Sequence, residues 1–201
     1  MRRTLIWLGV LIAVGVPLAL AASSPLLAWR QPIYIVAGFA GVLGLGLLLL
    51  QPLLIIGHLS GLARLSGRQL HRWVGVAFIL AILVHVGGLW ITSPPDVIDA
   101  LTFTSPTPFS NWGVIAMWAA FAAAFLALYR KRVHLRTFRL GHTVLVAITV
   151  VGTTAHAMLI DGTMEPISKT VLCLLVFLIT VKTIVARRAW TTHRRKKPAA
   201  F

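Results

Sequence analysis

The sequence predicts an all-α membrane protein: a polytopic bundle of six transmembrane helices with both termini in the cytoplasm. Of the 201 residues, 58% are hydrophobic and 11% are charged, which leaves too few charged side chains to cover a soluble domain of this size. The apolar residues form blocks of about 18 or more, the length that a helix needs to cross a hydrocarbon core of about 30 Å. The basic residues cluster at the ends of these blocks.

Six apolar blocks lie between charged breaks or breaks marked by Pro and Gly, and each block predicts one span. Their approximate bounds are Leu5–Ala22, Ile33–Ile56, Trp73–Ile91, Trp112–Tyr129, Leu140–Ile160 and Ile167–Ala186. The segment Thr92–Asn111 is rich in Pro, Ser and Thr, so it is predicted to be an ordered or semi-extended loop. Residues 1–190 are predicted to form one membrane domain, and residues 191–201 a basic, unstructured cytoplasmic tail.

The distribution of charge predicts the orientation. Basic residues precede the first span, lie between the second and third and between the fourth and fifth, and follow the sixth. The opposite loops hold only Arg30 and Lys169 as basic residues, together with every acidic residue of the chain: Asp96, Asp99, Asp161 and Glu165. Because positively charged loops stay in the cytoplasm, both termini are predicted to lie there, in a multi-pass protein of the cell inner membrane.

The first apolar block has a second interpretation. Arg2 and Arg3 precede it and Ala19-Leu20-Ala21 ends it, a pattern that is also similar to a signal peptide with a cleavage site. The block is longer than the usual apolar part of a signal peptide, which favours a retained helix. Cleavage would leave the orientation of the other five helices unchanged.

Charge and cysteine content exclude several classes of function. The net charge of +15 is explained by a basic face against anionic lipid headgroups, and no basic platform interleaved with aromatic residues supports nucleic-acid binding. The single cysteine, Cys173, allows no disulfide, zinc or thiolate-cluster framework. It is predicted to be a small buried apolar residue.

The histidines carry the chemistry. His71 and His85 lie about four helical turns apart on the third span, and His142 and His156 have the identical spacing on the fifth. Two residues at this spacing lie within about 40° of the same helix face and about 21 Å apart along the helix axis. Both spans run outward from the cytoplasm, so packing them side by side would bring His71 level with His142, and His85 level with His156. Two imidazoles facing each other at one depth are what a six-coordinate haem requires.

Neighbouring residues fit the same interpretation. A porphyrin against a helix needs small residues near the ligand, and Gly75, Ala81, Gly88 and Gly152 lie about one helical turn from a histidine. Small residues are also common at helix contacts in membranes, so they are compatible with haem without proving it. Propionates of the inner haem would need cationic partners, and those at the correct level are Arg72 and Arg139.

Histidines in a membrane protein can also have other roles. A buried histidine can simply bond a neighbouring helix, although ionisable residues at membrane depth are usually functional. The two pairs are too far apart along the helix axis for all four histidines to bind one zinc ion. A proton relay would normally also use carboxylates within the membrane, and the predicted spans contain none. Three histidines are interpreted as solvated or interfacial residues: His58, His134 and His193. His58 follows the second span and could approach a haem edge.

The stretch His71-Arg72-Trp73-Val74-Gly75, followed by His85, resembles the "HRWxG … H" motif of the ferric reductase-like transmembrane domain superfamily. Arg139-Leu140-Gly141-His142, followed by His156, looks like the second ligand-bearing helix of that family. The superfamily includes the ferric-chelate reductases and the NADPH oxidases. The resemblance implies two haem b groups, one held by His71 and His142 and the other by His85 and His156.

The resemblance also raises the question of the redox partners. Full-length reductases of this family carry FAD and NAD(P)H domains after the last helix, whereas this sequence ends at Phe201. Electrons are therefore expected from a separate flavoprotein reductase or from quinol, with FAD or FMN only in such a partner. The haem subunit of the bacterial periplasmic methionine sulfoxide reductase system is similar in size, but it lacks a histidine that matches His71.

Three hypotheses follow. The first is a b-type cytochrome that passes electrons from a cytoplasmic or quinol donor through two bis-histidine haems to an acceptor on the outer side. The second is the haem-binding membrane subunit of a two-component oxidoreductase with a periplasmic redox partner. The third is a non-redox membrane transporter or scaffold, in which the histidines would serve packing or proton handling.

Overall fold

The computed structural model describes residues 2–56, 59 and 64–195, and within these ranges the chain forms helices and no β-strand. The α-helices are α1 (Arg2–Ala22), α2 (Pro32–Ile56), α3 (Arg64–Thr92), α4 (Pro94–Leu101), α5 (Pro108–Leu128), α6 (Leu135–Leu159) and α7 (Pro166–Arg195). A short 3₁₀ helix, Pro25–Leu27, lies between α1 and α2. All of the α-helices except α4 are long and apolar enough to cross a membrane, which confirms the predicted all-α fold with six spans.

Several helices extend beyond the apolar blocks that predicted them. Helix α3 begins at Arg64 rather than at Trp73, and α7 continues to Arg195, past residue 191 where an unstructured tail was expected. The apolar block marks the part of a helix that lies in hydrocarbon, whereas Arg, Leu and Gln favour helix in water as well. A hydrophobic block therefore gives a lower limit for the length of the helix.

The segment between the third and fourth spans contains the short helix α4, where the sequence predicted a loop. Pro94 and Pro95 occupy the first turn, where the missing N–H groups cost no hydrogen bond. Ser93 precedes them and donates its hydroxyl to the carboxylate of Asp96. Asp96 itself lies in the first turn, where a negative charge interacts favourably with the helix dipole.

Five of the long helices close a ring. Helix α2 packs along α3, α3 contacts α5, α5 packs along α6, α6 contacts α7, and α7 returns to α2. Helix α1 lies outside the ring against α2 and α7, and α4 packs on α3 and α5. The most extensive contacts are those of the antiparallel hairpins α2–α3 and α5–α6. Helices α3 and α6, which carry the paired histidines, are therefore separated by other helices along the ring.

The two ends of the bundle differ in charge. We name the acidic end after the acidic residues in its connecting segments: Asp96, Asp99, Asp161 and Glu165. The basic end carries the opposite connections, including the segment between α5 and α6 with Arg130, Lys131 and Arg132. Helices α3 and α6 both begin at the basic end and finish at the acidic end.

The buried core lies mainly between α2 and α7. Leu49 of α2 and Leu172 of α7 are each 1% exposed, and Val176 is fully buried beside them. Cys173 is buried in the same cluster, as the sequence predicted. Large apolar side chains such as Leu80 and Leu128 remain exposed on the outside of the bundle, as expected of a surface that faces lipid.

A carboxylate at the acidic end fixes the start of α7. Glu165 accepts hydrogen bonds from the backbone N–H of Ser168 at 2.6 Å and of Ile167 at 2.9 Å. These bonds to Ser168 and Ile167 lower the pKa of Glu165 below its ordinary value of 4.5. Since the folded chain favours the ionised carboxylate, this residue stabilises the protein above pH 4.5, and the contribution disappears as the pH falls below that value.

We expect Glu165→Gln to lower the thermal unfolding midpoint at neutral pH, because the neutral amide is a weaker acceptor for the first N–H groups of α7. The difference from the wild-type protein should shrink as the pH falls below 4.5. Unfolding of both proteins in detergent tests this, when it is followed from about pH 7, where carboxyl groups are ionised, to about pH 3, where most are protonated. A difference that stays constant over the range would contradict the assignment.

Candidate functional site

His85 lies on α3 towards the acidic end and is held by α2. Its Nδ1 donates a hydrogen bond to the backbone oxygen of Ala37 at 2.8 Å. A side chain one turn later in α2 would normally cover that oxygen, but the residue there is Gly41. A Cβ atom added at Gly41 would lie 3.0 Å from Nδ1 and 3.1 Å from Cε1 of His85. The glycine therefore makes the space in which the imidazole reaches a helix carbonyl.

His156 lies on α6 and is held by α5 in the same way. Its Nδ1 donates to the backbone oxygen of Phe109 at 2.8 Å. A Cβ atom added at Gly113, one turn after Phe109, would lie 2.7 Å from Nδ1 of His156. The Phe109 ring also packs edge-on against the imidazole, with 5.8 Å between the ring centroids. Both imidazoles are thus fixed by a carbonyl and a glycine of the preceding helix.

The two hairpins repeat these contacts at matching positions. The sequence separation between His85 and His156 is only one residue shorter than the separation between Gly41 and Gly113. A further contact also matches: Gly44 of α2 faces Ala81 of α3, and the equivalent residues Ala116 and Gly152 face each other between α5 and α6. Hairpins α2–α3 and α5–α6 are therefore structural repeats of one another. This repeat is too long and too divergent to appear as a periodic pattern in the sequence.

The repeated contacts bring the imidazoles of His85 and His156 close together across the ring of helices. Their ring centroids are 6.3 Å apart, and the ring planes are inclined by 80°. Since each Nδ1 carries the proton that it donates to a carbonyl, Nε2 is the nitrogen with a lone pair for a metal. A metal held at about 2 Å from each of two such nitrogens separates the ring centres by about 6 Å. With this spacing, His85 and His156 would be able to hold one metal ion between them.

An apolar cavity of about 260 Å³ lies between α3, α4 and α5, and neither His85 nor His156 lines it. The residues that line it come from α3 and from the facing helices: Leu83, Val86, Gly87, Trp90, Val97 and Met117. A Cβ atom at Gly87 would meet no other atom within 4 Å. The cavity is therefore a separate feature of α3, away from the space between the two histidines.

The other two histidines lie nearer the basic end on the same helices. Nδ1 of His71 donates to the backbone oxygen of Gln51 at 3.3 Å. The side-chain Oε1 of Gln51 is buried without a hydrogen-bond partner among the described residues. The ring of His142 stacks on Phe138 at 5.5 Å with an 18° inclination. A buried polar atom without a partner beside His71 is consistent with a bound group at this level.

The remaining candidate residues are less enclosed. Arg72 and Arg139 are exposed at the level of His71 and His142, where cations for propionates were predicted. His134 is exposed, and its Nδ1 accepts a hydrogen bond from the backbone N–H of Arg136 at the start of α6. His58 and the side chain of His193 lie outside the described residues. No group of three or more His, Cys, Asp or Glu side chains in the described part of the chain is arranged to hold a metal ion.

The small residues near the histidines have a different role from the predicted one. Gly88 approaches Ala37, and Gly152 approaches Ala116 and the backbone oxygen of Trp112, so both face the neighbouring helix of their own hairpin. Gly75 faces the side chain of Gln51. The structure thus supports the alternative that these residues serve helix packing.

Sequence reasoning missed the residues that orient the ligand candidates: Ala37, Gly41, Phe109 and Gly113. The repeat could have been found by comparing the chain with itself. One offset aligns His85 with His156, and an offset one position larger aligns Gly41 with Gly113. The carbonyl acceptors could not have been found in this way, because a backbone oxygen leaves no signature in the residue type.

The comparison with protein families identifies the class of the chain. The family described as "ferric reductase like transmembrane component" matches residues 37–153, which is more than half of the sequence. The chain therefore belongs to the ferric reductase-like transmembrane family and is a membrane electron-transfer component, as the motif around His71 and His85 predicted. Proteins of this family generally bind haem in the transmembrane domain and usually work with separate redox partners. No curated protein and no solved structure matches the chain significantly.

We expect Gly113→Ala to displace the imidazole of His156 and to lower the unfolding free energy by about 1–3 kcal/mol, since the added methyl group would overlap the ring. Gly38→Ala is the matched control, because no atom lies within 4 Å of a Cβ at that position. Alanine should be neutral or stabilising there, because it favours helix over glycine by about 1 kcal/mol. Thermal unfolding of the two variants in detergent measures the contrast, and equal effects would argue against the tight contact.

Proposed function

We propose that the protein is a b-type cytochrome that carries electrons across the membrane through two haem b groups. His85 and His156 would be the axial ligands of one haem, and His71 and His142 those of the other. The opposed imidazoles of His85 and His156, with ring centroids 6.3 Å apart, are the main support for this proposal. The membership of a membrane electron-transfer family is the second support.

The surrounding protein suits axial ligation by neutral imidazoles. The hydrogen bonds from Nδ1 to the backbone oxygens of Ala37 and Phe109 fix the tautomer and the ring orientation. A bonded Nδ1–H also makes the other nitrogen a better donor towards a metal. A haem held in this way supplies one-electron redox chemistry, while the protein sets its potential through ligand bonding and burial.

Two levels of ligands would make a path through the bilayer. His71 precedes His85 on α3, and His142 precedes His156 on α6, with the same spacing and in the same direction. The two levels are therefore about 21 Å apart along the helices, which is most of the thickness of the hydrocarbon core. Electrons entering at the basic end would reach the acidic end by two successive one-electron steps.

The distribution of charge supports the direction of this path. Excess basic residues favour the cytoplasmic side for the basic end, and therefore for both termini. Arg72 and Arg139 lie at this end and would neutralise the propionates of the inner haem. A separate flavoprotein reductase, carrying FAD or FMN, or a quinol would supply electrons, and the acceptor would lie on the outer side of the cell inner membrane.

Removing one ligand should remove one haem. We expect His85→Ala and His156→Ala each to bind about one haem where the wild-type protein binds two, because a haem with one axial imidazole is held more weakly. Pyridine haemochrome assay and a reduced-minus-oxidised spectrum measure the content and the low-spin b-type character. His134→Ala is the control, because His134 is an exposed histidine at a helix end, and it should keep both haems.

The proposal fails if wild-type protein from haem-replete cells contains no haem, or if the variants at His85 and His156 retain the full amount. A wild-type content of one haem, lost in both of these variants, would restrict the proposal to the pair at the acidic end.

The orientation can be tested separately with single cysteines in a Cys173→Ala background. Ala28→Cys lies in an exposed position at the acidic end, and Thr137→Cys in an exposed position at the basic end. We expect a membrane-impermeant maleimide to label the first in intact cells and the second only after permeabilisation. The reverse pattern would place the basic end outside the cell and contradict the proposed direction.

A further inference from the structure

A second cavity, of about 470 Å³, lies at the acidic end, and neither of the opposed histidines lines it. Its walls are the end of α1 with the following segment, and the connection between α6 and α7. Leu20, Leu26 and Met164 form apolar wall, and Ser23, Ser24 and Lys169 contribute polar groups. A volume of this size, mostly apolar with a few polar groups, is typical of sites for small organic ligands.

Lys169 is the unusual residue of this cavity. It lies in the first turn of α7 and is only 6% exposed. Its Nζ donates a hydrogen bond to the backbone oxygen of Ile160 at 2.8 Å. Ile160 directly follows the last residue of α6, and a positive charge at the C-terminal end of a helix interacts favourably with the helix dipole. An ammonium group has three N–H donors, and this contact uses one. The others have no acceptor among the described residues, although Lys169 lines the cavity.

The chemistry of the walls restricts the ligand. The carboxylates of Asp161 and Glu165 line the same cavity and disfavour an anion, while Glu165 is also occupied by the backbone N–H groups of α7. A neutral ligand with an acceptor oxygen for Lys169 and an apolar body for Leu20 and Leu26 satisfies all of these groups. The position between helix ends at the edge of the bilayer favours a lipid-soluble molecule.

We propose that this cavity binds the headgroup of a quinone, with one carbonyl oxygen accepting a hydrogen bond from Lys169. The contact of Lys169 with Ile160 lies one helical turn beyond His156, about 6 Å further along α6. The redox role rests on the proposed function: a quinone reduced here takes up two electrons, arriving one at a time from the cytoplasmic donor, and two protons from outer water, and leaves as quinol. The binding itself does not require haem.

The test uses the full chain in phosphatidylcholine liposomes and an azido-benzoquinone with a short isoprenoid tail as a photolabel. We expect labelling of the peptides that contain residues 20–26 or 160–169, and protection by an excess of unlabelled short-chain benzoquinone. Lys169→Met should reduce labelling at least about tenfold, the loss expected for a hydrogen bond to a charged donor. Lys169→Arg should retain most of it. Lys182→Met, which removes an exposed lysine from the same helix, should have no effect.

Three results would overturn the proposal: labelling confined to other peptides, labelling unchanged in Lys169→Met, or protection by short-chain phosphatidylglycerol and not by the quinone, which would indicate a lipid site. Should Lys169→Met fail to fold, as judged by its unfolding midpoint, competition by the quinone and labelling in Lys169→Arg decide instead. Haem content of the same samples separates the two proposals. Specific labelling without haem would support the quinone site and contradict the proposed cytochrome function. Haem without specific labelling would support the cytochrome function and contradict the quinone site.

Discussion

The candidate site depends on access of an imidazole to a backbone oxygen inside a neighbouring helix. That oxygen is normally covered by the side chain one turn further along, so the contact requires a residue without Cβ at that position. Gly41 and Gly113 meet this requirement for Ala37 and Phe109, respectively. Each hydrogen bond fixes Nδ1 as the donor and so leaves Nε2 as the nitrogen that can bind a metal. The opposition of His85 and His156 follows from two such contacts on opposite sides of the ring.

The sequence was sufficient to predict the spans and the level of each histidine. Apolar blocks gave six helices because hydrocarbon thickness imposes a minimum length, and the spacing of the paired histidines fixed two depths on each helix regardless of tertiary detail. Packing between hairpins was beyond such reasoning. Gly88 and Gly152 were interpreted as space beside a porphyrin, although they face α2 and α5. Helical periodicity tells which residues share a face, but it does not tell which neighbour that face meets.

Helix ends and buried polar groups were also beyond prediction. Helix α4 begins at Pro94-Pro95 inside a segment expected to be a loop, because prolines that break a helix interior favour its first turn. Lys169 appeared in the sequence as one of two basic residues in the outer loops, yet it is buried against the end of α6. Its burial results from the way in which the α6–α7 connection folds back, and no local pattern around residue 169 encodes that.

The internal repeat gives His156 support that the family comparison does not. The family match ends at residue 153, so it includes His71, His85 and His142 but stops before His156 and α7. The contacts of His156 with Gly113 and Phe109 nevertheless reproduce those of His85 with Gly41 and Ala37. Because the two hairpins make equivalent contacts, the two imidazoles are held in equivalent orientations. Their ring centroids lie 6.3 Å apart. Helix α7 carries none of the four paired histidines, but it joins α6 to α2 and so holds the two hairpins at the distance at which their histidines can meet.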